Sequence, residues 1–131
     1  MELLLDTHTL LWVISGSDKL PEKIKNLINN YDNKIFVSMV SLWEIEIKHA
    51  LKPDLMPISA EDVYNSLTVS DFHLLSVRTE YIVGLLEIIK QNIHKDPFDH
   101  LLLSMANDEN MTLVTHDDNI QKYHDVSIIS Y

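Results

Sequence analysis

The sequence predicts an α/β domain with a mostly parallel sheet that helices cover on both faces. Short apolar runs that suit buried strands alternate along the chain with segments whose apolar residues recur at helical spacing. Those runs lack the regular polar residues of a half-exposed strand, as expected where helices cover both faces of a sheet. With 131 residues and no internal repeat, the chain has the length of one domain with a sizeable core.

The chain begins with a strand and two helices. Residues 3–5 are apolar and are predicted to form a buried strand that ends at Asp6. Thr7 is expected to cap the helix that follows, which reaches Gly16. Pro21 suits the start of a second helix, whose apolar residues lie on one side. A second strand is predicted over residues 35–37.

The segment after this second strand has two interpretations. Residues 41–51 begin with apolar and charged residues in strand-like alternation. Ser41 and Glu44, however, have the spacing of a capping box, and a strand fused to residues 35–37 would be improbably long. A helix is therefore predicted over residues 41–51.

The second half of the chain continues the alternation of helices and strands. Ser59 and Asp62 give another capping signal, and Pro97 at a first helical position follows Asp96 at the N-cap. Gly84 lies within a broad apolar helical stripe, at some cost in stability. The predicted elements are, in order, a helix over 59–67, a strand over 72–77, helices over 81–89 and 97–106, a strand over 111–115, a helical turn over 119–123 and a strand over 126–129.

The composition limits the class of protein. Cysteine is absent, which excludes disulfides and thiolate metal sites, and no apolar run approaches the ~20 residues of a membrane span. The first residues lack the basic segment and cleavage site of a signal peptide, so we expect a cytoplasmic protein. The formal net charge of −10 argues against a broad basic surface for nucleic acid and favours basic partners or bound cations.

Four acids lie where the elements of the predicted sheet meet. Asp6 and Asp117 directly follow strands, whereas Glu44 and Asp99 lie on helices that adjoin strands. Because ligands of open α/β sheets bind beyond the carboxyl ends of the strands, these four carboxylates are expected to converge. Spacing does not decide between Asp117 and Asp118, but the first residue after the strand is preferred.

Each of these acids also has a structural interpretation. Asp6 fits a helix cap, and Glu44 fits the second half of a capping box. Asp99 lies in a first helical turn, where the helix dipole favours a negative charge, although uncharged residues flank it. Asp96 is better explained as an N-cap than as a ligand, because Pro97 follows it.

A cluster of carboxylates without bases indicates a bound cation. Like charges raise one another's pKa, and a divalent cation removes that cost. An all-oxygen ligand set without cysteine suits Mg²⁺ or Mn²⁺. One or two such ions activate water and hold a phosphate, so the acids predict phosphodiester hydrolysis.

The aromatic and imidazole side chains are less informative. His8, His100 and His116 adjoin three of the acids and are candidates for contacts with the ligands or with phosphate. An ordinary polar role is the stronger expectation for each, and no zinc-type pairing of histidines is present. Trp12 and Trp43 are expected to be core or interface aromatics.

Four segments of the chain together form a recognisable pattern: LLDTH at 4–8, VSMVSLWEIEIK at 37–48, DPFDHLLL at 96–103 and TLVTHD at 112–117. In this order and at this spacing they resemble the PIN-domain family, and within it the VapC-type ribonuclease toxins of type II toxin–antitoxin pairs. The resemblance spans essentially the whole chain. Together the four segments are specific, although none of them is so alone.

The resemblance implies a single PIN domain over residues 1–131, folded as a three-layer α/β/α sandwich with a central, mostly parallel sheet. It implies an endoribonuclease that uses Mg²⁺ or Mn²⁺ to cut single-stranded regions of RNA. The residues that it makes catalytic and metal-binding are Asp6, Glu44, Asp99 and Asp117. It also implies a supporting hydroxyl at Thr115. The role of Asp96, which belongs to the DPFD form of the family motif at 96–99, is less defined.

The resemblance further implies a homodimer that a small antitoxin inhibits by placing its tail in the active site. An acidic toxin suits a tail with Arg or Lys, which competes with the metal for the carboxylates. In one departure, His116 stands where similar sequences often carry Arg, which leaves its contact with phosphate in doubt. Lys48, Lys52 and Lys95 are alternative candidates for positioning RNA.

Three rival functions stay open on sequence alone. The first is a PIN nuclease of RNA processing, outside any toxin–antitoxin pair. The second is a catalytically silent PIN module that binds protein or RNA, which the presence of all four acids disfavours. The third is a phosphoacceptor or phosphatase built on Asp6, but its neighbours supply neither the second acid nor the lysine that this chemistry needs.

Overall fold

The computed structural model describes residues 1–131, in which five strands alternate with six α-helices. The strands are β1 (Glu2–Leu5), β2 (Lys34–Ser38), β3 (His73–Leu75), β4 (Thr112–Thr115) and β5 (Ser127–Ser130). The helices are α1 (Thr7–Ser15), α2 (Glu22–Asn29), α3 (Met39–Leu51), α4 (Ala60–Thr68), α5 (Thr79–Ile89) and α6 (Pro97–Asp108), and a 3-10 turn covers Ile120–Lys122. None of the helices has both the length and the apolar character needed to cross a membrane.

The strands form one parallel sheet in the order β3-β2-β1-β4-β5. The central strand is β1, where Leu5 lies opposite Val37 of β2 and Val114 of β4. The chain adds β2 and β3 on one side of β1 and then returns to add β4 and β5 on the other. The crevice between the carboxyl ends of β1 and β4 is therefore the switch point of the sheet, where such folds bind ligands.

Two apolar cores lie on opposite faces of the sheet. Leu4 and Leu113 pack against α5 and α6 on one face. Leu3, Leu5 and Val114 pack against α1, α2 and α4 on the other. Adjacent residues of a strand point to opposite faces, so strands buried on both sides are apolar throughout. The predicted three-layer α/β/α sandwich with a parallel central sheet is confirmed.

The third helix, α3, contributes to both cores, with Val40 in one and Ile45 in the other. It begins directly after Ser38, whose Oγ accepts from the backbone N–H of Val40 at 2.9 Å. The predicted capping box of Ser41 and Glu44 is wrong, because the true cap lies at the end of β2. Glu44 therefore lies inside the helix, where its side chain is available for other contacts.

Two further capping predictions have opposite outcomes. Thr7 does not cap α1, because Asp6 holds that position and its Oδ1 accepts from the backbone N–H of Thr9 at 2.8 Å. The capping box of Ser59 and Asp62 is confirmed by both of its hydrogen bonds, each 3.1 Å long. Local sequence thus identifies a helix start reliably when no tertiary partner competes for the capping residue.

Gly84 in α5 allows that helix to lie close to α6. A Cβ at this position would come within 2.7 Å of Oγ of Ser104. The same hydroxyl donates to the backbone oxygen of Tyr81 at 2.6 Å, so it is not free to move away. The helical glycine therefore has a packing reason that offsets its low helix propensity.

Candidate active site at the carboxyl edge of the sheet

Asp6 lies at the switch point of the sheet and is only 4% exposed. Its Oδ1 accepts from the backbone N–H of Thr9 at 2.8 Å, and its Oδ2 accepts from Oγ1 of Thr115 at 2.5 Å. Burial raises the pKa of Asp6 above its ordinary value of 3.8, although these hydrogen bonds act in the opposite direction. No lysine or arginine forms an ion pair with it. The carboxyl group is thus buried without a cation to balance its charge.

Thr115 connects Asp6 to a second acid, Asp117. The hydroxyl of Thr115 donates to Asp6 and accepts from the backbone N–H of Asp117 at 3.0 Å. Oδ1 of Asp117 accepts in turn from the backbone N–H of Asn119 at 2.7 Å, which holds the loop after β4. Asp118 is exposed and its Oδ1 contacts a side-chain amide at 3.3 Å. The hydrogen bonds therefore connect Asp117, and not Asp118, to Asp6.

Asp99 lies in the first turn of α6, and its Oδ2 is 3.0 Å from Nε2 of His94. Burial, with further contributions from the charges of Asp96 and Asp117, raises the pKa of Asp99 to about 7, against a lowering effect of His94. Nδ1 of His94 is 2.8 Å from the hydroxyl of Tyr123, which fixes the ring. The repulsion between Asp99 and Asp117 means that the two carboxylates share one electrostatic environment.

Glu44 is buried, and both of its carboxylate oxygens have partners. Oε1 accepts from Oγ1 of Thr7 at 2.7 Å, and Oε2 accepts from Nζ of Lys48 at 2.7 Å. Thr7 directly follows Asp6, and its hydroxyl also lies 3.0 Å from Oγ of Ser41. Glu44 therefore faces the junction of β1 and α1, and it already has a cationic partner.

The other residues singled out from the sequence have ordinary roles. Oδ1 of Asp96 accepts from the backbone N–H groups of the second and third residues of α6 at 2.9 and 3.4 Å, which confirms the N-cap. Nε2 of His100 is 2.8 Å from the backbone oxygen of His94, as expected of a buried polar side chain. His116 is exposed, and its Nδ1 donates to the main-chain oxygen of Tyr131. Lys52 and Lys95 are exposed.

The predicted site residues are linked by these contacts but do not converge on one point. Asp6, Thr115 and Asp117 form one hydrogen-bonded group, and Asp99 adjoins it through its repulsion with Asp117. Glu44 adjoins the same junction through the residue after Asp6. No three His, Asp or Glu side chains lie close enough together to hold one metal ion. The acids thus follow one edge of the sheet without forming a closed metal cage.

Sequence patterns do not predict the hydrogen-bond partners of two of the acids. These partners are Thr7 for Glu44, and His94, which Tyr123 holds, for Asp99. Thr7 is 37 residues from Glu44 in sequence, and Tyr123 is 29 residues from His94. Nothing local predicts such tertiary contacts. His94 is five residues before Asp99, so its closeness to the acidic motif was the one available signal.

The donor chemistry of this edge fits a divalent cation. Burial raises the pKa values of Asp6 and Asp99, and neither has a lysine or arginine partner. Asp117 adds a further negative charge that raises the pKa of Asp99. All of these donors are oxygens, which Mg²⁺ and Mn²⁺ prefer. A cation at this edge would replace repulsion among the acids by attraction.

Comparison with known proteins identifies the family. The family model of the PIN domain matches residues 3–126. The chain has no significant match among curated protein sequences. Its fold is similar to that of VapBC2 from Rickettsia felis, bound to a DNA fragment from the promoter, with a TM-score of 0.74 and 18% identity over 100% of this chain and 99% of that one.

Two further solved structures are similar. DNA-bound VapBC from Salmonella typhimurium has a TM-score of 0.72 and 20% identity, over 99% of this chain and 98% of that one. VapBC-1 from nontypeable Haemophilus influenzae has a TM-score of 0.71 and 14% identity, over 99% and 98%. At these identities the likeness shows a shared fold. The family model spans all four segments on which the sequence resemblance depends, so the chain belongs to the PIN-domain family.

Proposed function

We propose that this protein is a Mg²⁺- or Mn²⁺-dependent endoribonuclease and the toxin of a type II toxin–antitoxin pair. The observation that carries the proposal is the carboxyl group of Asp6, which is buried at the switch point of a PIN-domain sheet and forms no ion pair with lysine or arginine. Burying a carboxylate without a cation is unfavourable, so such a group is a candidate for a functional role. The adjoining acids make a divalent cation the ligand that best balances it.

Asp6, Asp99 and Asp117 are the residues that would hold the ion. Since no three of the acids lie close enough together in this structure to hold one ion, their side chains would have to move toward one another. Glu44 would join them by exchanging its contact with Lys48, whose side chain is 47% exposed and free to turn away. A bound ion supplies a water molecule of lowered pKa and a positive charge for a phosphate oxygen, which is the chemistry of phosphodiester hydrolysis.

The uncharged neighbours of the acids position them. Thr115 holds Oδ2 of Asp6 through its hydroxyl and so fixes the rotamer of that carboxylate. His94 orients Asp99 when its Nε2 donates to the carboxylate and its Nδ1 accepts from Tyr123. These contacts explain how the chain keeps the acids in place while their charges repel one another.

The toxin–antitoxin part of the proposal draws on the solved structures of the same fold, which are VapBC assemblies. We propose a small antitoxin with a basic tail, because the chain has a formal net charge of −10 and its site is acidic. A homodimer and a cytoplasmic location complete the proposal, on the strength of the family resemblance.

The test is cleavage of a defined single-stranded RNA by the purified protein in Mg²⁺, in Mn²⁺ and in EDTA. Asp6→Asn and Asp99→Asn remove single carboxylates of the site. Asp118→Asn is the matched control, because it makes the same chemical change at an exposed acid beside Asp117. We expect cleavage that requires metal, that both site variants lose and that Asp118→Asn retains.

Other outcomes separate the rival functions. Site variants that cleave like the wild type would mean a contaminating nuclease and a wrong site. A folded protein that cleaves no single-stranded RNA would favour a silent binding module. Metal-dependent cleavage by a protein whose expression is harmless, with no antitoxin gene beside its own, would favour a nuclease of RNA processing.

A further inference from the structure

Four rings lie together beside the carboxylate site, with Trp12 at their centre. The ring centroid of Trp12 is 6.0 Å from that of His8, 5.4 Å from that of His116 and 6.2 Å from that of Tyr131. The rings of His116 and Tyr131 are 5.2 Å apart. These four side chains are called the ring cluster below. Residues from both ends of the chain thus form one aromatic surface.

The ring cluster shares its elements with the acids of the site. His8 is two residues after Asp6 on α1, and His116 directly follows Thr115 at the end of β4. The hydroxyl of Tyr131 is 2.8 Å from Oγ1 of Thr9, whose backbone N–H donates to the capping carboxylate of Asp6. The backbone N–H of Tyr131 also donates to the backbone oxygen of Thr115 at 3.3 Å. His8, His116 and Tyr131 therefore adjoin Thr9 and Thr115, the two residues that hydrogen-bond to the carboxylate of Asp6.

The ring cluster presents aromatic surface and positive charge to solvent. His8 and His116 are exposed, and Trp12 and Tyr131 are half-buried. Nζ of Lys19 lies 5.8 Å from the centroid of the Trp12 ring, a cation–π contact. Aromatic faces beside a cationic group are the usual means of binding single-stranded nucleic acid, because bases stack on rings and phosphates seek the cation.

The net negative charge of the chain means that RNA needs a source of affinity other than electrostatic attraction. The chain has 20 acidic and 10 basic side chains, so it lacks the excess of lysine and arginine that would hold RNA by charge alone. The contact of Nδ1 of His116 with the main-chain oxygen of Tyr131 holds the His116 ring, and the contact of the Tyr131 hydroxyl with Oγ1 of Thr9 holds the Tyr131 ring. Pre-positioned rings bind at a smaller entropic cost, which compensates for weak electrostatic attraction.

We propose that the ring cluster is a stacking surface that holds the bases of single-stranded RNA next to the carboxylates, with Lys19 in contact with the RNA backbone. The inference rests on the proposed function and adds the feature that selects unpaired strands. The faces of paired bases are covered inside a duplex, so they cannot stack on Trp12.

The second tryptophan of the chain provides an internal comparison. Trp43 is 58% exposed and lies edge-to-face with Phe98, at 4.9 Å between centroids. Lys48, five residues after Trp43, is bonded to Glu44 and is not stacked on the ring. Trp43 therefore lacks the lysine contact that Trp12 has with Lys19, so it serves as the control.

Tryptophan fluorescence distinguishes the two surfaces. The chain has two tryptophans, so Trp43→Phe leaves Trp12 as the reporter and Trp12→Phe leaves Trp43. Each variant is titrated at low salt in EDTA with an unpaired oligoribonucleotide, an abasic strand of equal length and a duplex. We expect the unpaired strand to quench the emission of Trp12, the abasic strand and the duplex to quench it far less, and Trp43 to respond to none of them.

Kinetics give a second readout that a loss of folding does not imitate. Trp12→Ala is expected to raise the KM for single-stranded RNA by about 5- to 150-fold, the loss of one stacked base, with a smaller change in kcat. Trp12→Phe restores most of the affinity, and Trp43→Ala leaves KM unchanged. Partial unfolding of Trp12→Ala would instead lower kcat in proportion to the loss of folded protein and would leave KM unchanged.

The outcomes separate this inference from the proposed function. Cleavage of RNA with no quenching of Trp12 and an unchanged KM in Trp12→Ala would overturn the stacking surface and leave the nuclease standing. Quenching confined to Trp43, or equal quenching by the abasic strand, would also overturn it. Quenching of Trp12 by unpaired RNA without any cleavage would support the surface and reject the nuclease.

Discussion

Glu44 and Asp99 are both helical acids beside the same edge of the sheet, yet the chain balances their charges differently. Glu44 contacts the hydroxyl of Thr7 and the ammonium of Lys48, each at 2.7 Å. Asp99 has His94 as its partner, and burial together with neighbouring acids raises its pKa to about 7. One half of the site is thus neutralised by a lysine of the chain, and the other half has only a histidine partner.

This difference indicates where an external cation is needed. Asp6 belongs with Asp99, because burial raises its pKa and it forms no ion pair with a lysine or arginine. Asp117 lies between them through its bond to Thr115 and its repulsion with Asp99. An ion on this side would offset acidic charges that no lysine or arginine balances. We therefore propose Asp6 and Asp99 as the primary ligands and Glu44 as a later addition.

The largest expected effect is the loss of activity in Asp6→Asn. Removing the charge of the central carboxylate should lower RNA cleavage by about 100- to 1,000-fold, the usual cost of losing one electrostatic contact in an active site. Asparagine still caps a helix, so the fold is expected to persist. Single-turnover cleavage rates measure the effect, with Asp118→Asn as control. An active Asp6→Asn protein would make Asp6 a plain helix cap.

The second expected effect is stabilisation of the folded state by metal. Mn²⁺ at a hundred times its Kd should raise the free energy of unfolding by about 2.7 kcal/mol, because the ion binds the folded chain alone. EDTA should remove this gain, and Asp99→Asn should lose most of it. Urea unfolding with and without metal measures the difference. An equal gain in Asp99→Asn would place the ion elsewhere.

The third expected effect is a decrease in the stability of the metal-free protein as the pH rises. The pKa of Asp99 is about 7 in the folded chain and 3.8 without its surroundings, so the folded state binds more protons between these values. Stability should therefore fall as the pH increases from about 4 to about 7. Asp99→Asn should show a shallower decrease in urea unfolding at several pH values. Identical slopes would mean that Asp99 is ordinarily ionised.

The smallest expected effect comes from Lys48→Met. The side chain of Lys48 is 47% exposed, so its ion pair with Glu44 should contribute less than about 1 kcal/mol to stability. The substitution removes a cation that competes for Glu44, so the affinity for Mn²⁺ should rise a few-fold. Calorimetric titration measures both variants. A weaker affinity would show instead that Lys48 holds Glu44 in its binding position.

Local chemistry predicts the fold well and the side-chain partners poorly. Capping signals at Ser59 and Asp96 locate two helices correctly, because each signal is satisfied within a few residues. The start of α3 is predicted wrongly, since Ser41 and Glu44 imitate a capping box while Ser38 is the actual cap. The true cap is also a local contact, from Ser38 to Val40, but only Ser41 has a glutamate three residues after it, so the capping-box pattern selects the wrong serine.

For the candidate site as well, the sequence predicts the position in the fold but not the side-chain contacts. The rule that parallel strands end at one edge is enough to place Asp6 and Asp117 near each other, and the structure connects them through Thr115. The contacts of Asp99 depend on a loop residue, His94, whose ring is placed by tertiary packing. Sequence thus identifies the edge of the sheet, and only the folded chain shows which acids lack a cation.

The most direct test of the account is the binding of Mn²⁺ to the purified protein, measured by titration calorimetry in the wild type and in three single variants. We predict that the wild type and Asp118→Asn bind the ion equally and that Asp6→Asn and Asp99→Asn bind it at least about 10-fold more weakly. If Asp6→Asn and Asp99→Asn bind Mn²⁺ like the wild type, these carboxylates do not hold the ion, and the central claim of a metal-dependent site at this edge is wrong.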